Sequence, residues 1–122
     1  MGRSHQRPYY RTMIKNAINN LQTGIVEHSD IENYVTNNYG NINRGTLADQ
    51  INICTVNIPS RVNYPQNQRP RVCNDSRYDF LYSVGFGQVE KYDPQLHGIW
   101  EIRKDKNDNL VVVISGAATK KR

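Results

Sequence analysis

Three segments within the first 55 residues carry apolar side chains at helical spacing, and beyond residue 87 the apolar pattern changes to short runs that suit strands. Ile14, Ala17, Ile18 and Leu21 recur at i, i+3, i+4 and i+7, the stripe of an amphipathic helix, and Gly24 stops it. Ser29 followed by Glu32 is a capping-box pattern that opens a second helix. The inward face of that helix is Ile31, Tyr34, Val35 and Tyr39, and Gly40 supplies its end. A third helix is expected over residues 44–55. Leu47, Ile51 and Cys54 point inward there, and Arg44, Thr46, Asp49 and Gln50 lie on the free side.

Farther along, Asp75 or Ser76 can cap a brief fourth helix containing Tyr78, Phe80, Leu81 and Val84, broken by Gly85 and Gly87. Residues 88–92 and 99–103 read as strands flanking Asp93-Pro94-Gln95-Leu96-His97-Gly98, a hairpin turn. The β-rich run at 110–114 follows Lys-Asp-Lys-Asn-Asp-Asn, a turn signal. Residues 1–12, with Arg3, Arg7 and Arg11, read as a basic flexible arm, and residues 116–122 as a basic disordered tail. A length of 122 residues bounds the chain to one domain with a single modest core. The expected class is α+β. Three helices, a short fourth and a C-terminal antiparallel β-meander over residues 13–115 follow the plan of a winged helix-turn-helix, in which the third helix fits the DNA major groove.

Residues 60–71, Ser-Arg-Val-Asn-Tyr-Pro-Gln-Asn-Gln-Arg-Pro-Arg, contain no acid and follow directly on the third helix. Their two prolines are expected to keep them out of regular structure. Guanidinium groups match phosphates and guanine edges, so Arg61, Arg69 and Arg71 are candidate DNA contacts, with Arg44 at the start of the third helix. Amide side chains match adenine edges, which adds Asn63, Gln66 and Asn67, and the Tyr64 ring offers a stacking face. On the third helix Thr46 and Gln50 suit base edges, and Asp49 suits a cytosine amino group. His97, at the corner of the expected hairpin, suits a phosphate or a turn-stabilising hydrogen bond. The plain alternative for the loop is a solvated basic segment. Trp100 alternates with Ile99 and Ile102 on a strand, which favours a core role. Arg77 has Asp75 and Asp79 as nearby ion-pair partners.

Sixteen Lys and Arg against eleven Asp and Glu give a net charge of +5, which favours polyanionic partners. No catalytic centre is expected. Asp105 and Asp108 with Lys104 and Lys106 lie in a turn and lack the strand-borne carboxylates of a metal nuclease. His97 with Glu101 lacks the helix-borne second ligand of an HNH site, and Ser29 with His28 lacks a third partner. Cys54 and Cys73 lack further soft ligands, so neither a metal nor another cofactor is expected, and Cys54 reads as a buried thiol. No apolar run approaches a membrane span, no signal peptide precedes the first helix, and Gln6 breaks the myristoylation pattern. The expected compartment is the cytoplasm.

The pattern Thr46-Leu47…Gln50-Ile51…Thr55-Val56-Asn57…Ser60-Arg61…Tyr64…Asn67…Pro70-Arg71 continues into Tyr78-Asp79…Leu81-Tyr82 and Gly85-Phe86-Gly87. It ends in Tyr92-Asp93-Pro94…His97-Gly98-Ile99-Trp100-Glu101-Ile102. Over about residues 14–102 this resembles the winged-helix modules attached to bacterial restriction-type endonucleases. The resemblance implies a double-stranded DNA reader that serves a separate nuclease domain, which this chain lacks. Some such modules recognise N6-methyladenine, and Tyr64, Ile53, Val62 and Trp100 are the residues here suited to an apolar recess for the methyl group. The rival expectations are a winged helix that binds an acidic protein partner and a small transcriptional repressor.

Overall fold

The computed structural model describes residues 8–21 and 24–122. Arg3 and Arg7 of the expected arm lie outside them. The first apolar stripe forms helix α1 (Tyr10–Leu21), with Met13, Ile14, Ala17 and Ile18 buried. The helix begins inside the expected arm, because the amides of Thr12 and Met13 donate to Tyr9 O and close its first turn. A two-residue strand, β1 (Val26–Glu27), runs straight into α2 (His28–Tyr39). Ser29 is therefore not the cap. The cap position is Glu27, and the His28 amide donates to Gly87 O at 2.8 Å instead. Gly40 ends α2 at φ 94, a left-handed backbone that favours glycine.

Helix α3 (Arg44–Ile53) is capped by Asn43, whose side chain accepts from the Thr46 amide at 2.9 Å. It stops two residues short of expectation because Thr55 leaves the helix to bridge Leu81. Leu47, Ile51, Ile53 and Cys54 face the core together with Ile31 and Val35 of α2. Each fully buried aliphatic side chain of this kind contributes roughly 1.5–3 kcal/mol. Burial pushes the Cys54 thiol up to about 12 and the Cys73 thiol up to about 11, and both cysteines are free.

Of the two prolines expected to hold residues 60–71 irregular, Pro65 instead opens a 3-10 turn, Pro65–Asn67, and Pro59 just ahead of the stretch opens another, Pro59–Asn63. Proline suits the first helical position because its missing N–H has no intrahelical partner there. Among the described residues six strands form two three-stranded antiparallel sheets. The remaining strands are β2 (Arg71–Val72), β3 (Leu81–Gly85), β4 (Gln88–Lys91), β5 (Ile99–Lys104) and β6 (Leu110–Gly116), and a short helix α4 (Pro94–His97) precedes β5. One sheet has the order β1-β4-β3 and the other β2-β5-β6. The architecture is α+β.

Two expected elements are corrected here. The fourth helix is absent. Asp75 closes a single turn, with the amides of Tyr78 and Asp79 donating to Asp75 O, and residues 81–85 then form β3. The Val56 amide donates to Leu81 O and the Leu81 amide to Cys54 O just past the end of α3, and β4 takes the other edge of β3. These ladders outcompete a helix whose first turn has nothing to propagate it. The hairpin expected between residues 88–92 and 99–103 is also absent, because β4 already pairs with β3 and β1 on its two edges. Asp93 caps α4 instead, with its side chain accepting from the Gln95 amide and Pro94 at the first helical position. Gly98 then turns the chain into the second sheet at φ 88, where an added Cβ would stand 2.7 Å from Gly116 O. The turn expected after residue 103 does form the β5–β6 hairpin.

The tail is held rather than free. The amides of Thr119 and Lys120 donate to Gln95 O, and Arg122 pairs with Glu90. Among the described residues no helix is long and apolar enough to cross a membrane.

Candidate nucleic-acid interface

Of the three arginines in the 60–71 loop, Arg69 alone is exposed. Arg61 is completely buried. Its Nη2 donates to Ile53 O, Tyr78 O and Asp79 Oδ1, each at 2.8 Å, and its Nη1 reaches Cys73 Sγ at 3.4 Å. Arg71 donates to the other oxygen of Asp79 and to Asn67 Oδ1. The buried Asn67 gives its amide hydrogens to Ile53 O and Arg61 O. Arg61, Arg71 and Asn67 are thus withdrawn as DNA contacts. A buried guanidinium needs a carboxylate and several acceptors; Asp79, Ile53 O at the end of α3 and Tyr78 O before β3 supply them to its two terminal nitrogens, and Nε has no partner.

His97 is withdrawn as well. Its ring is buried and stacked on Tyr82, with centroids 3.9 Å apart. The Asp93 amide donates to His97 Nδ1, which leaves the proton on Nε2 to donate to Glu90 Oε2 at 2.6 Å. The expected turn-stabilising bond is the one realised. Arg122 and the buried imidazole hold the Glu90 carboxyl at about 2, far below its ordinary range. Trp100 is half-buried beside Tyr82 and donates from Nε1 to His97 O. Arg77 pairs with Asp75 at 2.8 Å.

The free face of α3 keeps its predicted residues. Arg44 is 81% exposed and only loosely paired with Glu32 at 3.9 Å, a surface contact of little energetic weight. Thr46 and Gln50 are half-buried and Asp49 is exposed. Asp49 accepts from Tyr64 Oη at 2.9 Å, so the tyrosine expected to stack freely is tied back to the helix. Partial burial, with that hydrogen bond, raises the Tyr64 pKa. In the loop Asn63 is exposed, and Gln66 is half-buried with its Oε1 lacking a partner. Of the residues suited to a methyl recess, Ile53 is sealed in the core.

The roles of two residues named in the sequence were not read from it. One is Asp79, which organises the buried arginines. The other is Phe86, fully exposed at the tip of the β3–β4 hairpin between Gly85 and Gly87. A Gly-x-Gly between two short β-prone runs was a readable hairpin signal for it. No local signal marks Asp79, whose pairing spans eighteen positions.

The hairpin is clamped to the end of α3. Asn57 Nδ2 donates to Ser83 O at 2.9 Å, and Asn57 Oδ1 accepts from the Ser83 amide at 2.7 Å. Between the two elements lies a cleft of about 690 Å³. One wall carries Asn52, Thr55, Ile58 and Ser60, and the other carries Ser83, Phe86 and Val89 with both hairpin glycines. His28 stands at one end, its pKa lowered by burial, and no carboxylate lines the cleft. Among the described residues no three His, Cys, Asp or Glu side chains gather in a way that would hold a metal ion.

Residues 10–91 match the model of a domain of unknown function, DUF7669. The match takes in α1 through β4 and ends before α4 and the β5–β6 hairpin. No curated protein and no solved structure matches the chain.

Proposed function

We propose that the chain, which belongs to the DUF7669 family, is a double-stranded DNA-binding module of winged-helix form. In this reading α3 enters the major groove and the β3–β4 hairpin is the wing. One observation carries it. Asn52 near the end of α3, with Thr55, Ile58 and Ser60 just beyond it, and the hairpin tip stand on the two sides of a single cleft that no carboxylate lines, on a chain of net charge +5. Arg44 and Arg69 serve phosphates, Thr46 and Gln50 read base edges, and Asn63 and Gln66 reach the flanking backbone or an adenine edge. Asp49 takes a cytosine amino group through the oxygen that Tyr64 leaves free. Service to a restriction-type endonuclease, in the cytoplasm, extends the same proposal and rests on the family resemblance. So does sensing of N6-methyladenine.

Fluorescence-anisotropy titration of methylated and unmethylated duplexes over a salt series tests the proposal. Affinity is expected to fall steeply with salt, and Arg44→Ala and Arg69→Ala should each lower the slope by about one. Thr46→Ala or Gln50→Ala should leave the slope intact and relax discrimination at one or two base pairs, at about 1–3 kcal/mol per contact. Absence of salt-dependent duplex binding would overturn the reading. Equal affinity for both duplex forms would remove methyl sensing and leave the rest.

Full exposure of Phe86 favours a second reading, a protein-interaction winged helix, because aromatic anchors dominate protein interfaces. That reading predicts no duplex binding in the same titration.

A further inference from the structure

Phe86 is 107% exposed, yet the backbone beneath it is rigidly held. The β3–β4 ladder, with its irregularity between Ser83 and Gly85, sets the strands below the tip. The His28 amide donates to Gly87 O, and the Asn57 side chain brackets Ser83. The residues on either side are glycines, and nothing lies within 4 Å of a Cβ built at Gly87. The tip is therefore slim, open at Gly87, with the Gln88 side chain lying against Gly85 on the other side.

We propose that Phe86 is a wedge that enters the minor groove and unstacks one base step, bending the duplex toward the major groove in which α3 lies. The proposal rests on the DNA-binding reading and deepens it. Apolar side chains inserted in this way kink duplexes by about 20–90°. A wedge needs a slim, preorganised support and an apolar ring, and both are present here. Charge supports a duplex as the occupant, since Asn52, Ser60 and Ser83 line the cleft beside the ring with neutral polar groups and no carboxylate lines it, Glu27 and Glu32 lying near His28 at its end. A membrane-inserting tip would instead need several apolar side chains together, whereas Phe86 is flanked by Gly85, Gly87 and Gln88.

End-labelled duplexes of about 30 base pairs, carrying either a flexible TA step or a stiff A-tract, provide the test by energy transfer between the ends. The wild-type chain is expected to shorten the end-to-end distance and to prefer the TA duplex several-fold. Phe86→Ala should abolish both effects while keeping the salt slope, and Phe86→Leu should retain part of the bend. Circular dichroism checks that the variants fold, which an exposed position permits. Wild-type binding with a normal salt slope but no bend would overturn the wedge alone, as would an equal bend by Phe86→Ala. Dissociation of a dimer by Phe86→Ala, with DNA binding unchanged, would assign the ring to a self-interface and also overturn it. Failure of the wild-type chain to bind any duplex would overturn the parent reading and the wedge with it.

Discussion

Arg61 and Asp79 are both completely buried at the side chain, and their pair joins the end of α3 to the turn before β3. Removing one member of such a pair leaves a buried charge short of partners. Asp79 would keep Arg71 and the Asp75 amide, but Ile53 O and Tyr78 O would lose a donor. Arg61→Ala should therefore cost about 3–5 kcal/mol in urea unfolding, and Arg61→Met should cost less because it fills the space without a charge. A loss below about 1 kcal/mol for Arg61→Ala would place the residue at the surface, where a lost ion pair weighs that little. Nothing within the 60–71 stretch distinguishes Arg61 from Arg69. Both are arginines beside prolines and amides, and only a carboxylate eighteen residues away separates their fates.

Among the elements, the α4 corner joins the two sheets through side chains. Tyr92 Oη donates to Gly98 O and accepts from the Trp100 amide, while His97 links Asp93 to Glu90. Arg122 closes the set from the tail. Because the Glu90 carboxyl is lowered in the folded chain, its contribution is fully present above the ordinary carboxylate range and is lost as pH falls toward about 2. An NMR titration of Glu90 should accordingly inflect near 2, and Arg122→Ala should shift that inflection upward. An unmoved inflection would show that the tail does not hold the carboxyl. The helices of the N-terminal half were legible because their 3.6-residue stripe is long enough to be distinctive. Residues 78–84 were not, since a short apolar run satisfies helix and strand alike and its ladder partners decide.

Across the whole molecule, the placement of the hairpin against the helices depends on few bonds, and Asn57 makes two of them. Asn57→Ala should lower stability by about 1–3 kcal/mol, since it strips partners from a half-buried backbone segment. Within the proposed function it should also weaken duplex discrimination, because α3 and the wing would no longer be held in one geometry. Unchanged unfolding together with unchanged discrimination would count against that clamp. The sequence by itself determined the α+β class, the three N-terminal helices, their inward faces and the β5–β6 hairpin, because each follows from local period and turn chemistry. It also set the polar free face of α3, since the side opposite a buried stripe remains for solvent. Only the tertiary structure decided which strand pairs with which, that β3–β4 rather than β4–β5 is the hairpin beside α3, and which arginines are buried. Strand pairing and the partners of a buried charge are contacts between residues far apart in the chain, and no local pattern encodes them.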